Sequence, residues 1–224
     1  EMLTDREPAT GDLGPVRPEI DVRQHFGANV VLTRVHFGYN VAARSSGGGL
    51  DIYSVNAVIE DVTFTENSAG SDSYEFGGGG MSIVDASPSI TEATFDANDS
   101  RSAGGGLYVF GGDPKLTNVK FVKNAADQWG GGMYVEDGSP ILTNVVFHDN
   151  TSESGGGMYN YVDASPLLTN VTFSRNVATI DGGAMRNAGG SSPTLHNSIV
   201  WGNAALGTGH QIANHAAATV TLLY

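Results

Sequence analysis

The chain has 224 residues, with 24 acidic against 11 basic side chains, a formal charge of -13 and no cysteine. That balance argues against clustered Lys and Arg on a nucleic acid or an anionic membrane surface, and the lack of Cys removes disulfides, thiolate metal sites and Cys nucleophiles. Hydrophobic residues at 40% suffice for a core, charged residues at 16% are too few for a disordered polyampholyte, and no apolar run of about 18 residues is long enough to span a bilayer.

Along the chain, residues 1–19 come first, carrying Pro8, Pro15 and Pro18 among charged side chains. They read as an irregular cap ahead of a single domain over 20–224. Within that domain a Gly triplet followed by an apolar residue recurs. The copies are Gly47-Gly48-Gly49-Leu50, Gly78-Gly79-Gly80-Met81, Gly104-Gly105-Gly106-Leu107, Gly130-Gly131-Gly132-Met133, Gly155-Gly156-Gly157-Met158 and Gly182-Gly183-Ala184-Met185. Between the triplets lies Phe-x-x-Asn, at Phe37/Asn40, Phe64/Asn67, Phe95/Asn98, Phe121/Asn124, Phe147/Asn150 and Phe173/Asn176, with Val200/Asn203 as a variant. Successive Asn positions are 27, 31, 26, 26, 26 and 27 residues apart. The long step holds extra residues within 68–76, which read as an inserted surface loop.

A repeat of this length, with short β-like runs punctuated by Gly, Pro and Asn and no sustained 3.6-residue period, predicts an all-β parallel β-helix. The expectation is about seven coils with a period of about 26 residues and three short strands in each. Stacked coils place equivalent residues in columns about 4.8 Å apart. Three columns read as core: Leu50 to Met185, Leu32 to Leu195, and Phe37 to Val200. Asn118, Asn144, Asn170 and Asn197 mark a bend, because Asn tolerates left-handed backbone and its amide can bond the neighbouring coil.

The alternation of Gly-Gly-Ala/Gly-aliphatic with Phe-x-x-Asn, over roughly Val30 to Asn203, resembles the repeat pair of the chlamydial polymorphic outer-membrane proteins. It is equally similar to bacterial right-handed β-helix repeat proteins at large. The resemblance implies a right-handed β-helix at or outside the cell surface, adhesive or structural, and brings no catalytic motif. The C-terminal barrel of the polymorphic proteins has no counterpart in these 224 residues.

Polysaccharide-cleaving chemistry needs carboxylates converging from neighbouring coils with a basic partner. The charged turn column Glu66, Ala97, Lys123, Asp149, Arg175 alternates in sign in its lower half and reads as an exposed ion-pair ladder instead. The His residues 25, 36, 148, 196, 210 and 215 fall at different repeat positions and do not stack. No catalytic residue, metal ligand or cofactor is therefore expected. Tyr108, Tyr134 and Tyr159 follow an inward position by one residue, so alternation points them outward, as a platform for sugar or as a stabilising ladder. At the C-terminus, Val220, Leu222, Leu223 and Tyr224 resemble part of an eighth coil that stops at or one residue short of the Phe position. They read as an assembly edge, or as the point where a longer β-helix would continue.

The functional expectation is a non-enzymatic structural or adhesive β-helix, extracellular or on the cell surface of a bacterium. It stacks end to end into a homo-oligomeric filament or forms part of a longer surface protein. The alternative is a β-helix that binds or degrades polysaccharide. Neither a nucleic acid nor a transmembrane segment enters this reading.

Overall fold

A computed structural model of the chain describes residues 20–23, 30–42, 46–70 and 77–224. The 1–19 segment read as a cap lies outside the described residues, as do 71–76 of the expected insertion. Among the described residues, thirty strands form four parallel sheets, two of eight strands and two of seven. Each coil gives one strand to each sheet. In the fourth coil these are Leu107–Phe110, Lys115–Thr117, Lys120–Val122 and Ala125–Ala126, and they define the first to fourth sheets. Seven coils contribute to all four sheets; an eighth adds Ile212–Asn214 and Thr221–Leu223 to the first and second. The fourth strand of each coil corrects the expected three. Mostly two residues long, it follows the Phe-x-x-Asn corner and is too short to carry a period of its own.

The corners between strands are set by left-handed backbone. The expected bend is there, with φ of 56° at Asn118, Asn144 and Asn170 and 51° at Asn197. The charged column Glu66, Ala97, Lys123, Asp149, Arg175 is the next corner, at φ between 52° and 59°. Non-Gly residues adopt this region at a cost unless the surroundings enforce it. Here the ladders on both sides enforce it, because each strand pairs with the coils before and after. The Gly triplets sit where coils approach most closely. A Cβ on Gly106 would come within 2.7 Å of the Gly132 carbonyl oxygen and 2.8 Å of the Phe121 ring.

The three expected core columns face inward and are almost wholly excluded from solvent from the second to the sixth coil, and Val200 of the seventh is partly buried. Phe37, Phe64, Phe95, Phe121, Phe147 and Phe173 stack face to face, with centroids 4.6–5.0 Å apart and ring planes within 10°. Beside them runs a buried asparagine ladder from Asn40 to Asn203. At each step Nδ2 donates to Oδ1 of the next coil's Asn at 2.8–3.0 Å, and the backbone N–H donates to the same oxygen. The second Nδ2 hydrogen goes to a Phe carbonyl of the coil before. At the C-terminal end Gln211 Oε1 accepts from Asn203 Nδ2 at 2.8 Å, where another coil's Asn would otherwise stand.

Strand register corrects the reading of the last residues. Thr221, Leu222 and Leu223 pair with Thr194, Leu195 and His196. Tyr224 therefore aligns with the Asn197 corner, three positions before the Phe column rather than at it or one short of it.

Candidate functional site

The outer side of the first sheet carries a second column through Asp51, Ser82, Tyr108, Tyr134, Tyr159, Arg186 and Ala213. Alternation directs these side chains away from the main core, as expected. The expectation that Tyr108, Tyr134 and Tyr159 form an exposed platform is corrected: they are 5%, 2% and 6% exposed. The reason is a covering layer. The segments leading into the third and fourth Gly triplets lie against the outer side of the sheet, so Ala103 and Trp129 pack on the rings and form a small cluster separate from the main core.

Within this cluster the tyrosines stack, Tyr108 on Tyr134 at 5.4 Å and 3°, Tyr134 on Tyr159 at 5.5 Å and 20°. Arg186 continues the column with its guanidinium carbon 5.1 Å from the Tyr159 ring centre. Arg186 is in turn held by buried Asp181, whose oxygens lie 3.3 Å from Arg186 Nε and 2.9 Å from His215 Nε2. Asp181 reaches that position because the register between Ser152 and Ser154 shifts against the strand Val177–Asp181. Burial, then the Glu136 charge, pushes the Tyr108 and Tyr134 phenols far above their ordinary range; Tyr159 is raised by burial and eased back by Arg186. These phenols are donors, not bases, at any physiological pH.

The rings leave a cavity of about 250 Å³ between them, lined by Trp129, Tyr134, Glu136, Tyr159 and Tyr161. Trp129 stands 6.2 Å from Tyr134 and 6.3 Å from Tyr159, tilted by 34° and 48°. Tyr161 stands 6.1 Å from Tyr159, tilted by 58°. Glu136 and Tyr161 are register partners in adjacent coils, and Glu136 Oε2 accepts the Tyr134 hydroxyl proton at 2.9 Å. Sequence reasoning missed three of these five residues. Glu136 and Tyr161 were legible, since each lies two residues beyond an outward Tyr and so on the same side of the strand. Trp129 was not, because it comes across the corner from a segment outside the strand period.

A second group of charges lies at the corner between the third and fourth sheets. Asp149 bonds Arg175 Nε at 2.9 Å and lies 3.2 Å from His148 Nε2, while His148 Nδ1 meets Ser174 Oγ at 2.9 Å. This is one rung of the expected ion-pair ladder, Asp149 with Arg175 of the next coil. Among the described residues no three His, Asp or Glu side chains converge as a metal site.

The C-terminal edge residues are placed as follows. Val220 is partly buried against the core, and Leu222, Leu223 and Tyr224 are exposed. With Ile199 and Val200 of the preceding coil, Leu222, Leu223 and Tyr224 border an apolar groove of about 580 Å³.

Parallel strands in register, stacked columns and this ladder chemistry define a β-solenoid. The family profile described as "Right handed beta helix region" matches residues 22–165, and the chain belongs to that family. The sequence matches none of the curated proteins.

Proposed function

We propose that the chain is a non-enzymatic β-helix of the bacterial cell surface or extracellular space, serving as a structural or adhesive element. The observation that carries this reading is how the stackable positions are used. Coil after coil, Phe, Asn and Leu occupy them with ladders that lengthen and stiffen the solenoid. The charged groups nearest to a catalytic arrangement, Asp149 with His148 and Arg175 and Asp181 with Arg186 and His215, are already paired with one another. The likeness of the repeat to the chlamydial polymorphic outer-membrane proteins supports the place outside the cell. The unpaired edge of Thr221–Leu223 and its apolar groove support stacking on another strand-bearing surface, either a second copy or the remainder of a longer surface protein.

The alternative, a β-helix that binds or degrades polysaccharide, draws its support from the aromatic cavity. Incubation with polygalacturonate, alginate and glycosaminoglycans separates the two. No depolymerisation is expected. Chain cleavage that disappears in Asp149→Asn or Asp181→Asn, with circular dichroism unchanged, would overturn the non-enzymatic reading.

A further inference from the structure

At the C-terminal end of the stack the four sheets stop at different heights. The first and second reach the eighth coil, at Ile212–Asn214 and Thr221–Leu223, while the third and fourth stop in the seventh, at Ile199–Trp201 and Ala204–Ala205. The end face is thus a ramp with one step, at the corner between the second and third sheets. The apolar groove of about 580 Å³ is the open strand position on the low side of that step, with Ile199 and Val200 as its floor and Leu222, Leu223 and Tyr224 as its wall. Backbone groups stand ready there too. In the fifth coil the Val145 carbonyl accepts from Thr172 and the Asp149 N–H donates to Ser174 of the next strand; the equivalent groups of Ser198 and Gly202 have no strand above them.

Charge and shape together select the occupant. Residues 182–224 contain none of the 24 acidic side chains and one of the 11 basic ones, Arg186, which Asp181 already holds. Two such ends meet without like-charge repulsion, and face to face they keep the acidic remainders of two copies as far apart as possible. A copy seated head to tail with its columns in line does not fit the step. Among the described residues all four sheets begin together in the first coil, so that copy either leaves the low strand position empty or collides with the eighth coil. Its Asn40 would moreover extend the ladder at a place where the Gln211 amide already bonds Asn203 through both its oxygen and its nitrogen.

A twofold axis through the step meets both demands. It carries the high half of one end onto the low half of the other, so that Thr221–Leu223 of the second copy lies antiparallel on Ile199–Trp201. The middle residue of each strand is the inward one, since Leu222 follows Leu195 and Val200 follows Phe173, so Leu222 of the second copy closes on Val200. The same contact recurs in reverse, and each copy supplies the half coil that the other lacks. We infer that the groove takes the C-terminal end of a second copy, in a closed tail-to-tail dimer. The inference rests on the stacking in the reading above and fixes its form: longer assemblies grow from this dimer in steps of two.

The chain has no cysteine, so single Cys substitutions report the contact directly. The twofold sets position 201 of one copy beside position 221 of the other, and both side chains are exposed. Chains carrying Trp201→Cys, mixed with chains carrying Thr221→Cys and oxidised, should yield a disulfide-linked heterodimer, and neither variant alone should link. Sedimentation of the unsubstituted chain should show dimers, and any larger species at even multiples. Trp201→Glu, at a position 70% exposed where the fold does not need the ring, should weaken the dimer at least about tenfold with circular dichroism unchanged. Trimers alongside dimers, or dimers in which 201 and 221 do not link, would overturn the tail-to-tail contact and leave stacking by another surface. A chain still monomeric at about 1 mM would overturn the inference and the stacking together.

Discussion

Asn150 donates to Asn176 Oδ1 and to the Phe121 carbonyl, and accepts from both the backbone and the side chain of Asn124. All four of its hydrogen-bonding positions are used, and it is fully buried. Asn144 also bonds its neighbours, giving to Asn118 and accepting from Asn170, yet it stands in solvent. Water can replace its partners but not those of Asn150. Asn150→Ala leaves the Asn124 backbone N–H and one Asn124 amide hydrogen without an acceptor in a dry interior, while Asn176 Oδ1 keeps the backbone N–H of residue 150, and should cost at least about 2 kcal/mol at about 1–3 kcal/mol per orphaned group. Asn144→Gly, which keeps the φ of 56° accessible, should cost under about 1 kcal/mol. Urea unfolding of the two variants checks the contrast, and equal losses would mean that the buried ladder adds nothing beyond its exposed counterpart.

At the scale of the strand and coil, the Phe column is the clearest unit of stability. Phe147 stacks 4.7 Å from Phe121 and 4.6 Å from Phe173, and no part of it reaches solvent. Phe147→Ala should cost about 3–5 kcal/mol, the transfer energy of the ring plus the void it leaves. A solenoid's coils contact only their neighbours, so hydrogen exchange should quicken in the fifth coil and the two beside it. Damage spread evenly over the chain would contradict that expectation. The core is not uniform, however. The second inward position of the first sheet runs Ile52, Ile83, Val109, Val135 and then turns polar at Asn160, Asn187 and Asn214. Asn160 donates to Asn187 at 2.8 Å and Asn187 to Asn214 at 2.7 Å, and Asn160 Oδ1, next to Val135, has no hydrogen-bond partner. No sequence period announces this change, since a column can switch chemistry between coils without altering the strand geometry.

Over the whole molecule, coils add in one dimension and leave strand edges at the ends of the stack. The edge at Thr221–Leu223 and the exposed Ile199 and Trp201 make an apolar surface at one end, and Gln211 closes the asparagine ladder there without covering it. A heterologous contact at such an edge builds filaments instead of closed rings. Sedimentation and electron microscopy of the 224-residue chain over rising concentration should show end-to-end multimers, and Leu222→Lys should abolish them by placing a charge on the edge. A chain that stays monomeric at high concentration removes the filament from the proposed function, leaving the longer surface protein.

How far the sequence alone reached can be read from particular residues. The Gly triplets and Phe-x-x-Asn fixed the coil length and the three core columns, and Asn118, Asn144, Asn170 and Asn197 announced their left-handed corner. These were legible because stacking converts a linear period directly into spatial neighbours about 4.8 Å apart, so every repeated residue has a known partner. Lateral packing has no such rule. Trp129 covers Tyr134 and Tyr159 from across a corner, Asp181 reaches Arg186 and His215 through a register shift, and Tyr224 falls three places short of the Phe column because its strand pairs one way and not another. Corner length and path decide those contacts, and the period does not encode them. The solenoid was thus written in the repeat. Burial of the tyrosines and the cavity beside Glu136 were decided only when the segments carrying Ala103 and Trp129 folded over the sheet.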